Sequence, residues 1–179
     1  THALATALHR DADLLKGFLV WLGAADPPRA PKLRIVEQRL PGEEDEGTAL
    51  SEAESERRGL PDICIYDDSG DAPWVLAVES KAQAKASADQ VKRHISTLKK
   101  RGFPNPGLLL ITVDAPPPPG ELPIGVFARQ WREIYAWLRQ SYGDSLWSRA
   151  VTEYMEVFET RMVADEYSIR GTITMFDGL

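Results

Sequence analysis

The stretch GLPDICIYDDSGDAPWVLAVESKAQ carries charge at the ends of two apolar runs, Asp62 on one and Glu79 with Lys81 on the other. The runs read as strands and DDSGDAP as the turn between them. Folding the pair about a turn centred between Gly70 and Asp71 sets Tyr66 opposite Val75, Cys64 opposite Ala77 and Asp62 opposite Glu79. Side chains opposed on one face lie about 5 Å apart at Cβ, and Lys81, two residues past Glu79, shares that face. Two carboxylates held side by side repel and need compensation. A divalent cation is one source: Mg²⁺ prefers oxygen ligands, takes one or two carboxylates and completes its shell with water and phosphate. It acidifies a bound water and stabilises charge on the phosphate under attack, while a neighbouring Lys can hold that water or neutralise the developing charge. A surface salt bridge at a strand end is the alternative reading of the same three residues.

The elements that must position this cluster follow from periodicity. Leu4, Leu8, Leu14, Leu15, Phe18, Leu19 and Leu22 recur at helical spacing, with HRDADLL as a break where Asp11 or Asp13 caps a second helix. KLRIVEQRL alternates as a strand after the breaker DPPRAP, and the acidic stretch from Pro41 to Arg58 predicts a loop. Beyond the hairpin, residues 83–101 read as a helix ended by GFPNPG, and Leu108 to Val113 as a buried strand. After the proline run Pro116 to Pro119 come a short strand at IGVFA, helices near 129–141 and 144–164, and a last strand in SIRGTITMF. The order predicts an α/β core over residues 1–114 and an aromatic-rich, mainly helical extension over residues 115–179 packed on it as one compact unit.

Pro61-Asp62 followed by Glu79-Ser80-Lys81, on successive apolar strands, resembles the PD-(D/E)XK nuclease superfamily. The order helix, three-stranded antiparallel meander, helix, strand is similar to its restriction-endonuclease-like fold over about residues 1–114. The resemblance implies that Asp62 and Glu79 bind Mg²⁺ (Mn²⁺ in its place), helped by the Ser80 backbone carbonyl. It makes Lys81 the catalytic lysine and implies metal-dependent endonuclease activity on phosphodiester bonds, most often in DNA. Some members carry a Gln on the following helix, where Gln90 stands, equally readable as an exposed helix residue. Many also carry an acid on the first helix; Asp11, Asp13 or a residue upstream of Thr1 are the candidates. A second reading is a nucleic-acid-binding or protein-interaction module that keeps the fold without cleaving.

The 179 residues have a net charge of −6, which argues against generic nucleic-acid adhesion. Cations nevertheless gather in one segment, Lys81, Lys85, Lys92, Arg93, Lys99, Lys100 and Arg101. Lys85, Lys92 and Arg93 are the candidate phosphate contacts, and Lys99 to Arg101 read better as complements to a helix C-terminus. His94 reads either as a helix-surface residue or as a phosphate contact. With three His and one Cys, a zinc site is improbable. Trp131, Tyr135, Trp137, Tyr142, Trp147 and Tyr154 suit packing on the core or a homodimer through the C-terminal helices better than base stacking. No apolar run is long enough for a membrane span, and the lone Cys suits a reducing cytoplasm. A start at Thr1 and an end at FDGL admit one domain of a larger protein.

Overall fold

The computed structural model describes residues 1–24, 26–29, 32–43, 60–81 and 88–166. Lys85, most of the acidic stretch and SIRGTITMF lie outside them. The described residues form an α/β fold with a five-stranded mixed sheet and five α-helices. The helices are α1 (His2–Arg10), α2 (Ala12–Leu22), α3 (Ala88–Lys100), α4 (Trp131–Tyr142) and α5 (Leu146–Glu166). The strands are β1 (Arg34–Glu37), β2 (Ile63–Asp67), β3 (Trp74–Lys81), β4 (Gly107–Thr112) and β5 (Val126–Gln130).

Strands lie in chain order across the sheet, β1 to β3 as an antiparallel meander and β3 to β5 parallel. The hairpin register is the one expected from the turn: Tyr66 faces Val75 and Cys64 faces Ala77. The parallel β3–β4 pair needs a crossover connection, and α3 lies in it. IGVFA is displaced to Val126–Gln130, and the tertiary structure uses it to extend the central sheet. KLRIVEQRL contributes only four strand residues, because Gln38 turns out of the strand with φ +50° and donates its N–H to the Asp62 carbonyl at 2.9 Å.

Side-chain alternation divides the core between the two sheet faces. Ile63, Ile65, Leu76, Val78, Leu109 and Ile111 pack under α1, α2, α4 and α5. Cys64, Tyr66, Val75, Ala77, Leu108 and Leu110 pack with Val91 and Leu98 of α3. Strands covered on both sides read as unbroken apolar runs, as ICIY and VLAV do, and each fully buried Leu or Ile contributes roughly 1.5–3 kcal/mol. The aromatic residues of α4 take the packing role. Trp131 and Trp137 are buried in the first cluster, and Trp137 stacks on Trp21 with ring centroids 5.3 Å apart. Among the described residues no helix is long and apolar enough to cross a membrane.

The break between α1 and α2 is made by Asp11, whose Oδ1 accepts the Leu14 N–H at 2.9 Å. Its Oδ2 accepts from Ser145 Oγ at 2.7 Å, which ties this cap to the start of α5. Partial burial pushes the Asp11 pKa up, but the Leu14 and Ser145 hydrogen bonds outweigh it and hold it below the usual carboxylate value. Asp11→Ala is expected to cost about 1–2 kcal/mol, read as a lower urea midpoint with unchanged slope. A depressed folded-state pKa gives stability that is present above the unfolded pKa and lost as pH falls through the folded one. The difference between wild type and variant should therefore shrink in acid.

Candidate functional site

Glu79 and Lys81 lie on the α3 face of the sheet, and Asp62 reaches the same end of the β2–β3 pair. The parity that puts Cys64 and Ala77 against α3 carries Glu79 and Lys81 to the same side. β2 begins one residue after Asp62, so its side chain is free to turn across to β3, and Oδ2 accepts the Ser80 N–H at 2.8 Å. Within a strand the N–H and C=O of one residue point to the same side, so the Ser80 carbonyl also faces the Asp62 side. The Ser80 side chain points through the sheet instead, where its Oγ accepts from Trp131 Nε1 at 3.2 Å.

Glu79 is buried and contacted from three directions. Its Oε1 accepts from Gln90 Nε2 at 2.7 Å and lies 2.9 Å from Lys81 Nζ. His94 Nε2 lies 3.2 Å from Oε2. Gln90 and His94 are one helical turn apart on α3, so they present to the strand as a pair. Gln90, readable from sequence as exposed, is a buried partner of Glu79.

The two carboxylates respond oppositely to burial. Burial alone would raise Glu79, but the His94 and Lys81 contacts outweigh it and its pKa is lowered. Asp62 is raised, first by burial and then by the charge of Glu79, against the weaker opposing effects of the Ser80 N–H, the Thr1 amino group and Lys81. Glu79 is thus better compensated than Asp62. An acid in that position has a standing affinity for added positive charge. Oxygen ligands from Asp62, Glu79 and the Ser80 carbonyl suit Mg²⁺ or Mn²⁺ in donor type. Among the described residues, no three His, Cys, Asp or Glu side chains gather into a metal cluster.

The remaining sequence candidates are placed elsewhere. Asp11 is the α2 cap rather than a member of the site, and α1, whose N-cap Thr1 approaches Asp62 Oδ2 at 3.5 Å, contains no acid. Asp13 is exposed in the first turn of α2. Lys92 and Arg93 are exposed on α3, turned away from the face that carries Gln90 and His94, and Lys92 lies 4.0 Å from Asp89. Arg101, expected only to complement the helix end, also pairs with Glu43 at 2.6 Å.

His94 is the residue whose expected place the structure corrects. It is fully buried, not a surface residue or a phosphate contact. Val91, His94 and Leu98 fall at i, i+3 and i+7, the core stripe of α3, and that spacing is the sequence signal that places it inside.

The chain matches no protein-family model, no curated protein and no solved structure.

The unequal surroundings of the two carboxylates make substitutions at them opposite in sign. In metal-free buffer, Asp62→Asn keeps an acceptor for the Ser80 N–H and removes the repulsion. It should raise the thermal midpoint by a few degrees, the range for about 1 kcal/mol in a domain of this size. An acid whose folded pKa is raised makes stability fall as pH rises between the unfolded and folded values, so this gain is present at neutral pH and fades in acid. Glu79→Gln strands donors that need an anionic acceptor and should cost about 1–3 kcal/mol. Equal shifts for the two variants in thermal melts would contradict this electrostatic assignment.

Proposed function

We propose that the chain is a metal-dependent nuclease, hydrolysing phosphodiester bonds most naturally in DNA, on a restriction-endonuclease-like core. The observation that carries the reading is the Asp62 carboxylate, bound to the Ser80 N–H at 2.8 Å and close enough to Glu79 for their charges to repel, with Lys81 Nζ 2.9 Å from Glu79 Oε1. The β1–β2–β3 meander, α3 and the parallel β4 follow the order of elements that the motif implies.

In this reading Asp62, Glu79 and the Ser80 carbonyl hold Mg²⁺, or Mn²⁺ in its place. The bound ion supplies an acidified water and Lewis-acid stabilisation of the phosphate. Glu79 serves as the fixed ligand because Gln90 and His94 restrain its carboxylate. Lys81, on the same face two residues along, is placed to orient the attacking water or neutralise the charge that develops on the phosphate. The side chains therefore divide the work: carboxylates hold the cation, the lysine meets the anion, and Gln90 keeps the first carboxylate in place.

Substrate contact outside the centre falls to local cations, since the chain as a whole is acidic. Lys92 and Arg93 remain the proposed phosphate contacts. Lys92 lines a shallow groove with Ile95, Ser96, Lys99, Lys100 and Pro123. One observation favours the non-cleaving module as the second reading, namely that α1 brings no acid to Asp62.

Incubation of the protein with supercoiled plasmid and Mg²⁺ or Mn²⁺ separates the two. The expected result is nicking that EDTA abolishes, with Asp62→Ala and Lys81→Ala each slowing the initial rate by about 100-fold or more, the range for loss of a group that stabilises transition-state charge. Cleavage that survives both substitutions would sink the site. No cleavage of DNA or RNA, together with no Mn²⁺ binding by calorimetry, supports the module.

A further inference from the structure

We propose that His94 is a positioning residue for Glu79, setting from α3 the orientation of the carboxylate that holds the metal. The inference rests on the nuclease reading and deepens it, assigning a role to a residue outside the Asp-Glu-Lys motif.

Glu79 reaches the site from β3, and strand geometry fixes only its Cα and Cβ. The terminal torsion of a Glu side chain is broad and roughly two-fold, so the carboxylate plane is not set by its own rotamer. Gln90 anchors Oε1 at 2.7 Å. One anchored oxygen still leaves the plane free to swing. His94 Nε2, 3.2 Å from Oε2, engages the second oxygen. With both oxygens held from one helix face, the directions of the remaining lone pairs are set before a cation arrives. Lys81, which approaches Oε1 from the strand, is then the donor that can leave for substrate without releasing the carboxylate.

The cost of the arrangement supports a functional role. His94 is 0% exposed and sits between Val91 and Leu98 on the buried face of α3, which Gln90 shares. Burying an imidazole there costs free energy that its partner must offset, and an aliphatic side chain would fill the stripe without that cost. Groups that orient metal ligands typically change metal affinity or activity by 10- to 100-fold when removed.

The test compares wild type, His94→Leu and His94→Gln, the second of which can return an amide N–H near the position of Nε2. Mn²⁺ affinity is measured by titration calorimetry, and plasmid nicking is followed over a Mn²⁺ series and a DNA series. Expected for His94→Leu are Mn²⁺ binding weakened about 10-fold or more, a maximal rate lowered about 10- to 100-fold and an unchanged KM for DNA. His94→Gln should recover most of both losses. Urea unfolding establishes that the variants are folded. A folded His94→Leu with wild-type Mn²⁺ affinity and rate overturns the proposal, as does a folded His94→Gln with a full loss. Should His94→Leu fail to fold, His94→Gln decides alone: near-wild-type affinity supports the role and a 10-fold loss overturns it. A wild type that binds Mn²⁺ without cleaving removes the nuclease reading but leaves the affinity comparison to decide on His94. A wild type that neither binds nor cleaves removes both.

Discussion

The pairing of β2 with β3 holds the site together. Ile63 facing Val78 fixes where β2 starts, and Asp62, the residue before it, is thereby set against Ser80, whose N–H its carboxylate accepts at 2.8 Å. A slip of β3 by one residue would move Glu79 and Lys81 to the opposite face, under α1 and α2, and drive Leu76 and Val78 out of their cluster. Core burial and site geometry therefore depend on a single register, and the apolar residues that fix it are not themselves part of the site.

The α3 helix supplies what the hairpin lacks. Two carboxylates at a strand end would leave the buried Glu79 without partners from above; Gln90 donates to it and His94 Nε2 lies 3.2 Å from its second oxygen. The same helix closes the second core face through Val91 and Leu98. Its two tasks share one stripe, so polar and apolar residues alternate along a surface that packing alone would have made uniform. Asymmetry follows: Glu79 is held and stabilised as an anion, whereas Asp62 keeps the repulsion. Pairs of acids whose environments push their pKa values apart are a recurring arrangement where two carboxylates perform different roles.

The opposite face explains the C-terminal half. Trp131 sits behind Ser80 and donates to its hydroxyl, so α4 buttresses the strand that carries Glu79 and Lys81. Gly17 belongs to the same support, since a Cβ there would lie 1.7 Å from the Tyr142 hydroxyl and displace that side chain. Asp11 extends the support by bonding Ser145 at the start of α5. These contacts bind the segment after residue 114 to the sheet on which the site stands.

Much of this is legible in the sequence because it depends on local periodicity. The turn DDSGDAP and the apolar runs beside it determine the hairpin register, and with it the meeting of Asp62, Glu79 and Lys81. The α/β class follows from the order of the runs, and Asp11 reads as a cap from its place in the break. Other features depended on contacts between segments distant in the chain. Nothing local to Val126–Gln130 says that it pairs with β4, or local to Gln38 that its strand ends on the Asp62 carbonyl. The sequence leaves Gln90 undecided between surface and site and His94 between surface and phosphate. A helix has a buried face only once another layer covers it, and here the docking of α3 on β3 turned both residues onto Glu79.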